Sequence, residues 1–311
     1  MRALLLFVDG LGLGEADPEI NPVARARLGR LRLLRGAPSP DPAAVLVPTD
    51  ACLGVPGLPQ SATGQTSILA GVNAAAAVGR HVCGYCTASL AALLDGQSVF
   101  SRVRAAGGQA TFANAYTPIF FERPPRFLSV STVATLRAGL RLRTLEDLTR
   151  GEAVYHDYTN RLLPERGCSA PLLTPTEAGR RLGRLAAGHT FTMYEHFLTD
   201  KAGHAQDMVR GVEILENLEA FLEGLLAETD LADTLVVLTS DHGNLEDLST
   251  DRHTENPVPT LLWGQGAAEA AAGIRDLADI APAILRHLGV VYSPRVSTAP
   301  SAERRHPHGT A

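Results

Sequence analysis

Three short apolar segments of the chain are each followed closely by acidic or histidine side chains. They are residues 3–8 with Asp9, residues 190–195 with Asp200 and His204, and residues 235–239 with Asp241 and His242. Short runs rich in leucine and β-branched residues are typical of strands that are buried on both faces of a parallel sheet. Open α/β sheets bind ligands at the carboxyl ends of their strands. The sequence therefore predicts an α/β protein with a polar cluster at one edge of its sheet.

Helices alternate with strands along the rest of the chain. The patterns predict helices over residues 98–107, 174–187, 206–228 and 277–288, and strands over residues 109–114 and 259–263. Such alternation is typical of a mostly parallel sheet covered by helices.

The side chains at the strand ends are common metal ligands. An Asp and a His four residues apart, such as Asp200 and His204, lie on one face of a helix that begins near Asp200 and can hold one ion. His253 follows in DRHTENPVP, a dozen residues after His242. Each of these residues alone is equally well explained as a helix cap or a solvated side chain. Their convergence at three strand ends favours a metal site.

A hydroxyl nucleophile is suggested by the segment GVPGLPQSATGQTSILAGVNA. Its glycines and prolines favour a rigid loop, and residues 66–70 have the pattern of a helix that is just beginning. Thr66 would then lie at a helix N-terminus, where free N–H groups and the helix dipole favour a phosphate. Capping of the helix is an alternative role for such a hydroxyl. Three other hydroxyls compete with Thr66 as the nucleophile: Ser61, Thr63 and Ser67.

In five segments the sequence resembles the alkaline phosphatase superfamily, in particular its branch of cofactor-independent phosphoglycerate mutase and phosphopentomutase. The segments are VDGLGLG, GLPQSATGQTS, LTDKAGH, TSDHGNLED and HTENPVP. The resemblance assigns the nucleophile to Thr66, because Gly64-Gln65-Thr66 stands where the family has Gly-Asn-Ser. It also implies two metal sites, one formed by Asp200, His204 and His253 and the other by Asp9, Asp241, His242 and the Thr66 oxygen.

The same resemblance implies a three-layer α/β core and a two-metal phosphoryl-transfer reaction. A phosphothreonine intermediate would pass its phosphoryl group to water in a hydrolase, or back to the retained product in a phosphomutase. Carboxylate and imidazole ligands suit manganese or zinc. A non-catalytic metal-binding relative is a third alternative, which the presence of all seven ligand residues disfavours.

The chain differs from the mutases in the size of its inserted segment, because the core pattern resumes soon after the nucleophile segment. We expect a discontinuous core of residues 1–117 and 173–293, a small cap of residues 118–172, and a flexible tail of residues 294–311. A small cap leaves the site open to water. This favours a phosphomonoesterase or phosphodiesterase that acts on a small soluble phosphorylated substrate.

Polar side chains of the cap and of the core motifs are candidates for contacts with the substrate, although each is also explained as a solvated surface residue. These candidates are Gln65, Arg80, Lys201, Arg123 and His156.

Composition excludes several other classes. With 311 residues, of which 45% are hydrophobic, the chain can bury one large core. A net charge of −5 without a basic tract argues against nucleic acid and anionic membranes as partners. The N-terminal apolar run is too short for a signal peptide, so a cytoplasmic location is expected. Cys83 and Cys86 form a single CxxC pair, and without a second pair they do not support a structural zinc site. The segment CLGVPG does not match the CxPxR-type motif of sulfatases, which argues against sulfatase activity.

Overall fold

The computed structural model describes residues 1–292. Its strands are β1 (Arg2–Val8), β2 (Val45–Thr49), β3 (Ala110–Phe112), β4 (Ala115–Tyr116), β5 (Arg143–Thr144), β6 (Phe191–His196), β7 (Thr234–Thr239) and β8 (Val258–Gly264). Its α-helices are α1 (Pro22–Arg25), α2 (Ser61–Ala70), α3 (Ala74–Val78), α4 (Ala88–Leu94), α5 (Val99–Ala105), α6 (Pro118–Glu122), α7 (Val130–Arg137), α8 (Leu145–Thr149), α9 (Pro175–Ala187), α10 (Leu198–His204), α11 (Met208–Glu228), α12 (Ala267–Ala271) and α13 (Ile280–His287). Two 3₁₀ turns span Leu163–Arg166 and Leu277–Asp279.

A six-stranded sheet of order β2-β8-β7-β1-β6-β3 forms the centre of the fold. Four adjacent strands run parallel to one another, in the order β7-β1-β6-β3. Strand β8 pairs antiparallel with both β2 and β7. The prediction of an α/β fold with a mostly parallel sheet is thus confirmed. Strands β4 and β5 form a separate small parallel pair.

Both faces of the sheet are covered, which gives the three layers that the resemblance implies. Along β1, Leu5 and Phe7 pack in one hydrophobic cluster with residues of α2 and α13. Leu4 and Leu6 pack in the opposite cluster with residues of α9 and α11. This alternation follows from the two-residue period of a strand. Because both faces are buried from Ala3 to Val8, β1 is apolar over these six residues.

The predicted elements agree with the structure within a few residues, with two exceptions. The helix expected at 277–288 is a 3₁₀ turn followed by α13. The helix expected to open at Thr66 instead begins at Ser61, and Gly64 lies inside it. Glycine is needed at that position because a Cβ there would lie 2.7 Å from the Cβ of Asp241. The glycine therefore permits close packing rather than ending a loop.

The segment 118–172 holds α6, α7, β5, α8 and the first 3₁₀ turn. Val130 and Ala134 of α7 are buried in the same cluster as α2. A smaller apolar cluster that includes Leu148, Tyr155 and Leu163 stabilises the rest of the segment. The division into a core and a cap at these boundaries stays a prediction, and the predicted tail of residues 294–311 lies outside the described residues.

Within residues 1–292 there is no helix that is both long and apolar enough to cross a lipid bilayer.

Candidate metal centre and active site

The order of the strands brings the expected ligands together. Strand β1 lies between β6 and β7, and all three run in the same direction. Their carboxyl ends therefore meet at one edge of the sheet, where Asp9 follows β1, Asp241 follows β7, and Asp200 lies in the helix after β6. His253 reaches this edge from the loop before β8, because Gly243 pairs with Thr254 in an antiparallel bridge.

Asp200, His204 and His253 form the first cluster. The Oδ1 atom of Asp200 lies 3.5 Å from Nε2 of His204 and 3.6 Å from Nε2 of His253. The two Nε2 atoms are 3.2 Å apart. Two donor atoms from α10 and one from the loop before β8 thus lie close enough together to bind one ion.

Backbone carbonyls fix the orientation of both imidazoles in this cluster. Nδ1 of His204 is 2.7 Å from the Asp251 carbonyl oxygen, and Nδ1 of His253 is 2.8 Å from that of Pro59. When each Nδ1 donates its proton to a carbonyl, the neutral imidazole carries a lone pair on Nε2. Two lone pairs and a carboxylate would then face each other, and a cation between them removes this repulsion. The first cluster therefore fits a metal ion.

Asp9, Asp241 and His242 form the second cluster. Nε2 of His242 lies 3.3 Å from Oδ1 of Asp9 and 3.7 Å from Oδ2 of Asp241. Oδ1 of Asp9 is buried and has no hydrogen-bond partner, and a buried polar atom without a partner is costly. Asp200 also lies within reach of Asp9 and His242, so the two clusters share this carboxylate. The second cluster also fits a metal ion.

The pKa values in the second cluster also indicate that a positive charge would stabilise its ionised carboxylates. Burial raises the pKa of Asp9, and burial together with the charge of Asp9 raises the pKa of Asp241 well above its usual value. Burial lowers the pKa of His242, but the charges of Asp241 and Asp9 outweigh it and raise that pKa to about 10. Burial and the charge of His242 lower the pKa of His253 to about 4. Divalent cations would stabilise the ionised carboxylates and neutral imidazoles that ligation requires.

Ser61 is the hydroxyl that lies next to this centre. Its Oγ atom is 3.0 Å from Nε2 of His242. Ser61 occupies the first position of α2. It was one of the alternatives to Thr66 in the sequence.

Thr66 uses its hydroxyl for a hydrogen bond within its own helix rather than with a metal ligand. Its side chain is fully buried, and its hydroxyl donates a hydrogen bond of 2.7 Å to the Ala62 carbonyl one turn earlier. The amide of Gln65, by contrast, lies 3.5 Å from Oδ2 of Asp241. The N–H groups of Ala62 and Thr63 both donate to the Val82 carbonyl, so these two groups of the first turn do not face the site.

Two residues that hold the ligands in place were not recognised in the sequence. Nδ2 of Asn244 donates to Oδ1 of Asp200 over 2.7 Å. Glu246, which is 1% exposed, accepts hydrogen bonds from the backbone N–H groups of Gly12 and Asn244 and from the side chain of Thr254. Both lie in the quoted motif TSDHGNLED, but acidic and amide side chains in a loop carry no signal that they are buried.

Glu195 is a further buried carboxylate beside the second cluster. It lies near the end of β6, and its Oε2 accepts a hydrogen bond of 2.5 Å from Ser131. Burial and the charge of Asp9 raise its pKa to about 7. No role was predicted for Glu195, because it stands inside a strand pattern.

A cavity of about 820 Å³ opens from the metal centre and is lined by Asp9, Ser61 and Asp200. Four of the five expected substrate contacts also line it: Gln65, Lys201, Arg123 and His156. Burial and the charge of Lys201 lower the pKa of His156 to about 3, so this ring is neutral. The fifth expected contact, Arg80, is exposed in the turn after α3 and does not line the cavity.

Comparisons with known proteins show which proteins the chain resembles. A family model described as "Metalloenzyme superfamily" matches residues 183–292. A 2,3-bisphosphoglycerate-independent phosphoglycerate mutase of Roseobacter denitrificans is 30% identical over 218 residues, which are 61% of this chain and 42% of the mutase. The corresponding mutase of Haloquadratum walsbyi is 33% identical over 99 residues, which are 29% of this chain and 20% of the mutase. The chain thus matches less than half the length of either relative.

Solved structures are similar over nearly the whole chain. The PH0037 protein from Pyrococcus horikoshii aligns with a TM-score of 0.59 at 15% identity, over 94% of this chain and 98% of that chain. Alkaline phosphatase from the Antarctic bacterium TAB5 aligns with a TM-score of 0.51 at 13% identity, over 93% of this chain and 98% of that chain. At these identities the likeness shows the fold.

Proposed function

We propose that this chain is a metalloenzyme of the alkaline phosphatase superfamily, related to the phosphoglycerate mutases, and that it acts as a phosphoester hydrolase with Ser61 as its nucleophile. The Ser61 oxygen would attack the phosphorus of a small phosphoester and displace the alcohol, which leaves with the serine proton. Water would then cleave the phosphoserine, which releases phosphate and restores the hydroxyl. The observation that carries this proposal is the 3.0 Å separation between Ser61 Oγ and His242 Nε2. Ser61 thereby replaces Thr66 as the proposed nucleophile.

We propose that Asp200, His204 and His253 hold one divalent ion and that Asp9, Asp241 and His242 hold a second. Carboxylate and imidazole donors keep manganese and zinc as the proposed ions. When bound, such ions lower the pKa of a nearby hydroxyl and offset negative charge on phosphoryl oxygens.

The protein's own residues would position the reacting groups. Ser61 stands at the first position of α2 and lines the cavity together with Asp9 and Asp200. Gly64 lets this helix approach Asp241, which places Ser61 beside His242. Lys201 lines the cavity near Asp200 and would stabilise the anionic ester.

Hydrolysis is favoured over intramolecular transfer because the cavity remains accessible to water. Its lining includes Phe127 and Tyr85, which are 55% and 57% exposed. A mutase has to keep its dephosphorylated product away from water until the phosphoryl group returns. Because relatives of this chain are mutases, phosphomutase activity is the second candidate. A mutase would produce an isomerised ester without free phosphate, which distinguishes it from a hydrolase.

The test compares two substitutions within α2. Ser61→Ala should lower the turnover of p-nitrophenyl phosphate or of its bis-ester, with manganese or zinc present, by at least about a hundred-fold. Thr66→Val removes the other hydroxyl from a site of similar shape and should retain turnover within about five-fold, because that hydroxyl only bonds within the helix. Acid quenching should trap phosphate on the peptide that contains Ser61. Loss of activity in Thr66→Val with retention in Ser61→Ala would overturn the assignment.

A panel of sugar phosphates and phosphoglycerates completes the test. Release of free phosphate from any of them supports a hydrolase. If the wild-type protein with either metal turns over none of these esters, the proposed activity is refuted.

A further inference from the structure

We propose that the large cavity receives a flat aromatic ring on the alcohol side of the phosphoester. The substrate class is then a phosphate monoester such as a nucleoside 5′-monophosphate. This inference rests on the proposed function, because the cavity begins at Ser61 and Asp9.

The cavity is larger than a phosphoryl group requires. Its volume of about 820 Å³ is in the range of sites that enclose whole small molecules. The same space that contains Ser61 extends to Tyr85, Phe120 and Phe127. A substrate bound at Ser61 therefore has room for its alcohol portion to reach these side chains.

Two exposed aromatic rings stand together on this cavity. Tyr85 is 57% exposed and Phe127 is 55% exposed. Their rings are stacked, with centroids 6.0 Å apart and planes 28° apart. The backbone N–H of Cys86 donates to the Leu128 carbonyl over 2.9 Å, which holds the two loops side by side. Large rings exposed as a pair on a cavity indicate a ligand that covers them.

Part of the cavity lining is apolar and suits a base. This part comprises Ile119, Phe120, Pro125, Phe127 and Leu128. A heteroaromatic ring stacks on such side chains, whereas hydroxyl groups placed against them would lose water without gaining a partner. The same lining also contains Asn114, Thr117, Ser129 and Thr132, whose polar groups can pair with ribose hydroxyls.

Positive charges on the same cavity indicate that its ligand is an anion. Arg123, Arg166 and Lys201 line it. Within residues 1–292, none of the three forms an ion pair with a carboxylate at 4.0 Å or less. The ammonium of Lys201 lies 4.9 Å over the ring of Phe197. An anionic ester with an aromatic ring matches both kinds of lining.

The test compares adenosine 5′-monophosphate with ribose 5-phosphate, which release the phosphoryl group from the same type of primary alcohol and differ in the base. We expect kcat/KM to be at least about ten-fold higher for the nucleotide, as stacking on aromatic side chains produces. In the double variant Tyr85→Ala and Phe127→Ala this ratio should fall by about five-fold or more. Leu172→Ala, an exposed apolar residue that does not line the cavity, should leave the ratio unchanged.

Binding to the Ser61→Ala variant provides a measurement that does not depend on turnover. With manganese present, calorimetry should show that adenosine 5′-monophosphate binds at least about ten-fold more tightly than ribose 5-phosphate. Equal affinity, or a ratio that the double variant leaves unchanged, would overturn the aromatic assignment while hydrolysis of ribose 5-phosphate still supported the proposed function. If neither ester nor p-nitrophenyl phosphate were hydrolysed, the proposed function would fail, and the calorimetric ratio would still decide whether the cavity selects a ring.

Discussion

Replacing Glu246 by glutamine is expected to destabilise the loops that carry the metal ligands. Glu246 is 1% exposed, and its Oε2 accepts from the backbone N–H groups of Gly12 at 2.9 Å and Asn244 at 2.8 Å. Its Oε1 accepts from the Thr254 hydroxyl and from Nδ2 of Asn256 at 3.0 Å. One carboxylate thus joins the loop after β1, the loop after β7 and the segment that follows His253.

The size of the effect follows from these four bonds. A glutamine oxygen can replace Oε2, but its amide then faces the donors of Thr254 and Asn256. The threonine hydroxyl can rotate to accept a bond, whereas the Asn256 amide meets another donor. Hydrogen bonds to a charged group contribute about 1.5–3 kcal/mol each. Losing one and weakening the others should lower the free energy of unfolding by about 2–4 kcal/mol.

Thermal unfolding in the presence of a chelator measures this effect, because bound metal would add its own stabilisation. We expect the midpoint of Glu246→Gln to fall by several degrees. Glu223→Gln is the matched control, since Glu223 is exposed on α11 and should shift the midpoint by less than about one degree. If the two variants unfolded at the same temperature, the hydrogen bonds of Glu246 would not stabilise these loops.

Two further predictions concern single contacts. Asn244→Ala removes the 2.7 Å hydrogen bond to Asp200 and should weaken manganese binding by about 10–100-fold in calorimetry, whereas Asn217→Ala on α11 should not. Asp147→Asn should destabilise the protein by about 2 kcal/mol at pH 7, because hydrogen bonding to Arg141 lowers the pKa of Asp147 from 3.8 to about 2. Since the folded pKa is the lower one, this stabilisation is complete above pH 3.8 and is lost as the pH falls toward 2. Denaturant unfolding of both proteins between pH 7 and pH 2.5 should show the difference shrinking, and a constant difference would refute the assignment.

The central strands, and the strand ends at which the candidate ligands lie, could be predicted from the sequence because strands buried on both faces of a parallel sheet appear as apolar runs. Asp9, Asp200 and Asp241 each follow such a run, and parallel strands bring their carboxyl ends to one edge. No long-range information was needed for that inference. Strand β2 was not predicted, since it contains a proline and lies at the edge of the sheet, where burial is incomplete.

The position of Ser61 could not be predicted because the start of its helix depends on a distant residue. Gln60 is in the N-cap position but makes no side-chain capping bond, so the usual local signal for a helix start is missing. Gly64 has a low helix propensity, yet it lies within the helix because Asp241 leaves no room for a Cβ. The missing cap signal and Gly64 therefore lead to a predicted helix start near Thr66. The residue that explains the glycine, Asp241, lies in the loop after β7, far along the chain.

The apolar character of β1 on both of its faces has a consequence for how its alignment is chosen. A shift by one residue would exchange Leu4 and Leu6 with Leu5 and Phe7 between the two layers and would still bury leucine or phenylalanine on each side. Burial alone thus discriminates weakly between neighbouring alignments of this strand. The difference comes from its end, where Gly10 must stand against Asp200 because a Cβ there would lie 2.8 Å from the Asp200 carboxylate. The polar edge that carries the candidate metal ligands therefore also constrains the position of the strand at the centre of the molecule.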